Sequence, residues 1–269
     1  MNNENFQQKI EPKVIVPFLP KGGTGKTTIS AHVGYYLSKL GKTLLIDADN
    51  QANLTANFLN KKEFLKKSGG ATLVDLLNKN KLFSECIFKP RDSLENNLYM
   101  IGLLNNNGLK EFIEEKFINR YKVVEQIIIK AKEEGFKFII LDPPANYNFF
   151  SQILITNSNL NISVIEPEAF SYEALPILFE ILKEIQECNG INIYKKLLII
   201  NKYNSNNTTH VYYKKLFDSS PYKNYFIIPD GKAIVNACSR NMLLHEYRPN
   251  HPVNQVFKSI ATIINNLAL

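Results

Sequence analysis

A short glycine-rich segment, residues 20–28, constrains the fold more than any other part of the chain. It reads Pro-Lys-Gly-Gly-Thr-Gly-Lys-Thr-Thr and lies between an apolar run and an amphipathic run. Glycine accepts positive φ at no steric cost, so the backbone N–H groups of such a segment can turn inward towards an anion. The apolar residues that follow the segment recur at helical spacing, at Ile29, Val33, Leu37 and Leu40. They predict a helix that begins at the loop, so the anion would lie at a helix N-terminus. We predict a phosphate-binding loop, with a plain strand-to-helix turn as the alternative.

The loop carries two lysines, Lys21 and Lys26. In the pattern G-x-x-x-x-G-K-[ST], the lysine reaches the β- and γ-phosphates of a nucleotide and the following hydroxyl can ligate magnesium. Lys26 and Thr27 occupy these two positions. Pro20 stands where the pattern has its first glycine, so the match is to a variant with an extra cation. The predicted nucleotide-binding residues of the loop are Gly22, Gly23, Thr24, Gly25, Lys26, Thr27 and Thr28.

Short apolar runs alternate with segments of helical periodicity along the rest of the chain. This alternation predicts an α/β fold, doubly wound, with a mostly parallel sheet covered by helices on both faces. A short polar tail, residues 1–12, precedes what we expect to be a single domain, residues 13–269. Pro17 removes a ladder donor, so a local bulge or irregular pairing is expected there. The predicted strands are 14–19, 43–46, 138–141, 162–165, 197–200 and 225–228, and the predicted helices include 72–78, 109–118, 121–134 and 253–267.

Aspartates follow two of the predicted strands. Asp47 and Asp49 come after the second strand, and Asp142 follows the strand 138–141. Because the carboxyl ends of parallel strands share one edge of a sheet, these side chains are expected near the phosphate loop. Asp142 has the context of a carboxylate that holds magnesium through water. Strand-end caps, or a simple strand-to-turn junction at Asp142, are the alternatives.

Charge is distributed unevenly along the chain. The formal net charge is +7, and residues 190–269 hold 10 of the 32 basic side chains but 3 of the 25 acidic ones. Three scattered cysteines argue against a zinc site or a disulfide framework, at Cys86, Cys188 and Cys238. The polar start is unlike a signal peptide, so we expect a cytoplasmic protein.

The lysine that opens the run Lys-Gly-Gly-x-Gly-Lys-Thr-Thr makes it resemble the deviant phosphate loop of the ParA/MinD family of dimeric ATPases, which are P-loop NTPases. The resemblance implies that ATP and Mg²⁺ are the cofactors and that Lys21 crosses a homodimer interface to the nucleotide of the other subunit. It also implies catalytic roles for Lys21, Lys26 and Asp49, of which Asp49 would orient the attacking water. Thr27, Asp47 and Asp142 would be the metal residues.

Further segments resemble the same family. Asn201 stands where related ATPases read the adenine edge, and Pro229 and Asp230 stand in a segment whose backbone lines the base pocket. Two positions depart from the family pattern: Asn50 replaces a proline after the aspartates, and Asp230 replaces an arginine. These changes affect the flexibility of the first segment and the basic surface beside the second.

The resemblance is to small ParA-type partition proteins without an N-terminal helix-turn-helix domain. It implies nonspecific binding to double-stranded DNA in the ATP state, localisation on the nucleoid, and slow hydrolysis stimulated by a ParB-type centromere-binding partner, in order to segregate a plasmid or chromosome. DNA binding without a base code needs several cations on one face. The candidates are Lys214, Lys215, Lys232 and Arg240, and solvated helix lysines are the alternative.

Two other functions stay open at this point. A MinD-like positioning ATPase would use a basic amphipathic C-terminal helix on lipid, but no lysine or arginine follows Lys258, so no membrane partner is expected. A nucleotide-gated scaffold would dimerise with ATP and hardly hydrolyse it. Single-turnover hydrolysis compared with Asp49→Ala would distinguish this scaffold from a true ATPase.

Overall fold

Seven parallel strands form one central sheet. The computed structural model describes residues 11–91, 97–104, 108–114, 120–189 and 195–268. The order across the sheet is β3-β2-β4-β1-β5-β6-β7, and every strand pair is parallel. The strands are β1 (Lys13–Pro17), β2 (Thr43–Asp47), β3 (Leu98–Ile101), β4 (Phe138–Asp142), β5 (Leu160–Ile165), β6 (Lys195–Tyr203) and β7 (Tyr225–Pro229).

Helices connect the strands and follow the last of them. Among the described residues they are α1 (Lys26–Ser38), α2 (Asn53–Phe58), α3 (Lys61–Ser68), α4 (Leu73–Leu77), α5 (Phe83–Cys86), α6 (Gly108–Glu114), α7 (Arg120–Glu133), α8 (Phe149–Thr156), α9 (Ala169–Asn189), α10 (Thr208–Ser219), α11 (Lys232–Cys238), α12 (Leu244–Tyr247) and α13 (Val253–Asn266).

Alternation along the strands sends side chains to two cores. In β1, Ile15 packs with α1 and α13 on one face of the sheet. Its neighbours Val14 and Val16 pack on the opposite face, with α7 and α8 around Val14 and with α9 and α10 around Val16. Because both faces are covered, the strands are apolar almost throughout. The predicted doubly wound α/β fold is confirmed.

The position of β1 determines where a ligand can bind. β1 lies between β4 and β5, and the chain builds one side of the sheet before β5 and the other side from β5 onward. In sheets of this kind the crevice lies at the carboxyl ends of the strands where the winding reverses. The loop after β1 therefore faces the loops after β2, β4, β5 and β6.

Helix α1 lies close against the sheet and is fixed to the C-terminal helices. A Cβ atom at Gly34 would lie 2.5 Å from Leu45 Cδ2, so glycine permits the close approach. His32 Nδ1 lies 2.7 Å from the Thr28 carbonyl, its Nε2 accepts from Leu244 N at 2.9 Å, and its ring stacks on Phe257. Complete burial lowers the pKa of His32 to about 4. The neutral imidazole thus joins the first turns of α1 to the end of the chain.

Several sequence predictions need correction. Pro17 ends β1 and pairs in register with Ile162, and Phe18 N donates to Ile162 O, so the predicted bulge or irregular pairing is wrong. The register shift lies between β6 and β7, at Ile200 and Tyr203. Strand β3 was not predicted. Residues 1–10 of the predicted tail and residues 115–118 of the predicted helix 109–118 lie outside the described residues.

Candidate functional site

The loop between β1 and α1 curls through two glycines with positive φ. Gly23 has φ 77° and Gly25 has φ 95°, and Gly25 is the N-cap of α1. The loop therefore delivers its backbone to the positive end of a helix, the arrangement that favours an anion. Gly22 lies beside the loop after β4, since its added Cβ would be 3.8 Å from Ala145 Cβ.

Lys26, the first residue of α1, folds its side chain into the loop. Its Nζ donates to Leu19 O at 3.2 Å and also to Lys21 O. Burial lowers the pKa of Lys26, while the nearby charges of Asp142 and Asp49 oppose this shift. The amine is thus held at the loop by carbonyl oxygens and attracted by two carboxylates. It is placed to meet a phosphate bound by the same loop.

Asp142 lies fully buried at the end of β4, beside the first turns of α1. Its Oδ1 accepts from Ser30 Oγ at 2.6 Å, and the nearby Thr27 hydroxyl favours the ionised form of the carboxylate. Its other oxygen, Oδ2, has no hydrogen-bond partner among the described residues. Burial, with a smaller effect of the Asp49 charge, raises the pKa of Asp142 to about 6, although the Ser30 and Thr27 hydroxyls and Lys26 oppose this shift.

Asp47 is the register partner of Asp142 on the adjacent strand β2. Its Oδ2 accepts from the backbone N and the hydroxyl of Thr55, both at 2.7 Å, and its Oδ1 accepts from Asp49 N at 3.4 Å. Burial, together with the charge of Asp142, raises the pKa of Asp47 to about 7, although these hydrogen bonds oppose the shift. Asp47 thus ties the segment after β2 to α2.

The residues beside the loop fit a magnesium ion that is shared with phosphates. Mg²⁺ is held by one or two carboxylates, with water and phosphate oxygens completing its shell. Asp142 offers a buried oxygen that has no partner in the described part of the chain, and the Thr27 hydroxyl lies near the same carboxylate. Within the described ranges, no three His, Cys, Asp or Glu side chains group as ligands of a metal. An ion here would therefore rely on the nucleotide for part of its shell.

Asp49 lies in the turn between β2 and α2. Its Oδ1 accepts from Gln51 N at 3.1 Å, and Ala52 is the N-cap of α2, with φ 52°. Its charge acts on both Lys26 and Asp142. The neighbouring Asn50 has a buried Oδ1 with no hydrogen-bond partner among the described residues. The turn thus brings Asp49 to the phosphate side of the site, where a water-orienting role stays a prediction.

The end of β6 contacts the loop from its other side. The Asn201 side chain is buried, and its Nδ2 donates to Thr24 O at 2.7 Å. Asp230 N donates to Tyr203 O at 2.8 Å, which joins the ends of β6 and β7, and Pro229 and Asp230 are exposed. The structure thus brings Asn201 to the phosphate loop itself. Reading of adenine by this segment stays a prediction.

Some residues of the site carried no sequence signal that we used. Ser30 and Thr55 hold the two buried aspartates. The spacing gives one clue in retrospect, because Ser30 lies one helical turn after Lys26 and shares its face of α1. Glu168 pairs with Lys21, and both residues precede helices at the same edge of the sheet. This pairing links loops far apart in the chain, so local patterns do not predict it.

The four DNA candidates do not form one cluster. Lys214 and Lys215 lie on α10, whose Phe217 packs on one face of the sheet, and Lys214 is bonded to Asp218 at 2.8 Å. Lys232 begins α11, whose Ile234 packs against the core on the opposite face. Arg240 follows α11, is exposed and stacks over the Tyr247 ring. The cations thus divide into two pairs.

Known proteins resemble this chain in sequence and in fold. The family model AAA_31, described as an AAA domain, matches residues 12–200. An uncharacterised protein of Methanocaldococcus jannaschii is 27% identical over 259 residues, covering 92% of this chain and 96% of its own length. The chromosome-partitioning ATPase Soj of Treponema pallidum is 27% identical over 183 residues, covering 67% of this chain and 66% of its own length. The septum site-determining protein MinD of Pyrococcus horikoshii, in complex with Mg-ADP, has a TM-score of 0.74 at 20% identity, covering 95% of this chain and 96% of that one.

Proposed function

The chain belongs to the AAA domain family AAA_31 and to the ParA/Soj/MinD group of P-loop ATPases. From this we propose that the protein dimerises with ATP, binds DNA without sequence preference and hydrolyses ATP to segregate DNA. The observation that carries the proposal is the loop, which places Lys26 beside the buried Asp142 and presents a second lysine, Lys21. The Lys26 amine bonds to carbonyl groups of the loop, whereas the Lys21 side chain is partly exposed.

Each residue of the site has a part in this chemistry. Asp142 and Thr27 would hold Mg²⁺, which supplies charge neutralisation on the phosphates when it is bound with nucleotide. The Lys26 amine would exchange its carbonyl partners for phosphate oxygens, a stronger charge-assisted contact. Asp49 would orient the attacking water, and Asp47 would hold the turn that carries Asp49. The name of one relative, the chromosome-partitioning ATPase Soj, supports ATP hydrolysis as the reaction.

A DNA partner fits the surface better than a lipid partner does. Helix α13 buries the apolar side chains that a lipid-inserting helix would expose, among them Phe257 and Ile260, against α1 and β7. Lys13 Nζ also donates to the carbonyls of Ile264 and Asn265, which fixes the end of this helix. Among the described residues, no helix is long and apolar enough to cross a membrane. The exposed cations Lys232 and Arg240 stay available to phosphates.

The experiment that tests this proposal is sedimentation of wild type, Lys21→Ala and Lys62→Ala with ATP, ADP or no nucleotide. Lys62 is an exposed lysine on α3 and is the control for loss of one positive charge. We expect ATP-dependent dimers of wild type and Lys62→Ala, and monomers of Lys21→Ala that still bind ATP. Wild-type-like dimers of Lys21→Ala would contradict a nucleotide sandwiched between two copies.

Hydrolysis is tested separately from dimerisation. In a single-turnover experiment with Mg²⁺, wild type should convert bound ATP to ADP, and Asp49→Ala should retain ATP because it cannot orient water. An unchanged rate in Asp49→Ala would remove Asp49 from the chemistry. Stable ATP dimers with no turnover in wild type would indicate a nucleotide-gated scaffold instead.

A further inference from the structure

Two lysines on the phosphate-loop side of the sheet pair with two glutamates of a single loop. Lys21 forms an ion pair with Glu168. Lys202 forms another with Glu166, with Nζ and Oε1 2.7 Å apart. Both glutamates belong to the three-residue segment Glu-Pro-Glu that joins β5 to α9. One acidic loop thus faces the phosphate loop through two cations.

The fold holds this acidic loop in place. β5 is the sheet neighbour of β1, so the loops that follow these two strands are adjacent. Glu168 N donates to Glu166 O at 2.9 Å, and Glu166 N donates to the Ser171 hydroxyl oxygen at 3.3 Å. Proline between the two glutamates restricts the backbone further. Glu168 is therefore presented to Lys21 by a fixed turn.

The two ion pairs differ in what else their lysine does. Lys202 Nζ also donates to Gly23 O at 2.6 Å, so this amine fastens the acidic loop to the phosphate loop. The Lys21 amine, in contrast, forms its ion pair with the carboxylate of Glu168. Both side chains of this pair are about one-third exposed, at 28% for Lys21 and 35% for Glu168. A partly exposed ion pair contributes little free energy, so Lys21 and Glu168 can separate at a small free-energy cost.

We propose that Glu168 positions Lys21 by holding it on its own subunit, and that this contact breaks when Lys21 engages the nucleotide of a second copy of the chain. The inference rests on the proposed ATP-driven dimer. An amine that neutralises a carboxylate in its own subunit is less available to phosphates across an interface. Glu168 is thus a latch that opposes dimerisation until bound nucleotide competes for Lys21.

The first test measures dimerisation of wild type, Glu168→Gln and Glu166→Gln with AMPPNP and Mg²⁺ by sedimentation equilibrium. Glu166→Gln is the matched control, because it removes the same charge from the same loop and leaves the Lys21 partner intact. Two surface ion pairs no longer need to break in the Glu168→Gln dimer, so its dissociation constant should fall roughly two- to thirty-fold. A constant that is unchanged, raised, or lowered equally in Glu166→Gln would overturn the latch.

The second test reads the latch in the monomer without nucleotide. An acetylating reagent modifies free lysine amines, and peptide mass spectrometry gives the rate at Lys21 and at Lys202. Glu168→Gln should speed modification of Lys21 alone, and Glu166→Gln should speed modification of Lys202. Equal Lys21 rates in all three proteins would overturn the latch. Wild type that stays monomeric with AMPPNP, with Lys21 still faster in Glu168→Gln, would support the pairing within one subunit and contradict the proposed function.

Discussion

The side-chain amide of Asn201 donates to the carbonyl oxygen of Thr24 over 2.7 Å, so the end of β6 supports the phosphate loop. The same amide explains why glycine follows Thr24, at position 25. A Cβ atom at Gly25 would lie 2.3 Å from Asn201 Nδ2, and Gly25 has φ 95°. A side chain at position 25 would therefore both strain the backbone and displace the support.

Replacing Asn201 by alanine should weaken binding of both ATP and GTP, because its amide supports the phosphate loop that both nucleotides would use. The substitution leaves the Thr24 carbonyl without its partner, which destabilises a buried polar group by about 1–3 kcal/mol. Titration with fluorescent analogues of both nucleotides measures the effect, and Asn206→Ala, in an exposed turn, is the control. A loss confined to ATP would show that Asn201 reads adenine and does not act mainly through the loop.

Replacing Asp142 by asparagine should separate metal binding from folding. A carboxylate that holds magnesium through water contributes about 10- to 100-fold to metal affinity or activity, as outer-shell partners do. At pH 8 the free energy of unfolding should rise, because burial disfavours the charge of Asp142. Urea unfolding and the Mg²⁺ dependence of hydrolysis measure the two effects. Full hydrolysis at low Mg²⁺ in this variant would reject the metal role.

The stability of the protein without nucleotide or metal should depend on the protonation of Asp47. Its pKa is raised from 3.8 to about 7, so the folded protein binds the extra proton and loses stability as pH rises from about 4 to about 7. Asp47→Asn cannot titrate. The stability of wild type relative to the variant should therefore fall with pH, by at most about 1.4 kcal/mol per pH unit.

This comparison is needed because another buried group acts in the opposite direction. The pKa of His32 is lowered from 6.5 to about 4, so its contribution to stability is lost as pH falls through the same range. His32 is present in wild type and in Asp47→Asn, and its effect cancels in the difference. Urea unfolding at several pH values, with EDTA present, gives both curves. Parallel curves would show that Asp47 does not titrate in this range.

The exposed cations after β7 should contribute to DNA binding more than the paired cation on α10 does. Lys232→Ala and Arg240→Ala should each weaken binding and reduce the slope of log affinity against log salt by about 1. Lys214→Ala should change little, because its charge is paired with Asp218 at 2.8 Å. Fluorescence anisotropy with unrelated duplexes at several salt concentrations measures all three. Equal losses in the three variants would indicate a surface that spans both faces.

The architecture was predictable because its signals are local and periodic. The apolar runs at β1, β2 and β4 to β7 alternate with helical segments, and such runs identify buried parallel strands. The loop could be placed because its glycines and Lys26 stand at fixed spacing. β3 was missed since it has four residues at the edge of the sheet and follows a polar segment. The irregularity predicted at Pro17 was wrong because this proline is the last residue of β1. The pairing of β1 with β4 ends at Ile15, so the missing N–H of Pro17 interrupts no ladder on that side.

The candidate site was less predictable because its contacts join distant segments. Glu168 reaches Lys21, and Ser30 reaches Asp142, across more than a hundred residues of chain in each case. The position of Asn201 at a strand end was predictable, but its bond to Thr24 depends on how closely β6 approaches the loop. The DNA candidates were grouped by charge along the sequence, whereas the sheet separates α10 from α11.

ATP should control binding to DNA, and the most direct test is binding of purified protein to an unrelated duplex with ATP, ADP or no nucleotide across a salt series. We expect binding with ATP alone, falling steeply as salt rises because phosphate contacts release counterions. Lys21→Ala should not bind under any of these conditions. Equal binding with all three, or no binding with any of them, would contradict the account, and the second result would make anionic liposomes the next partner to test.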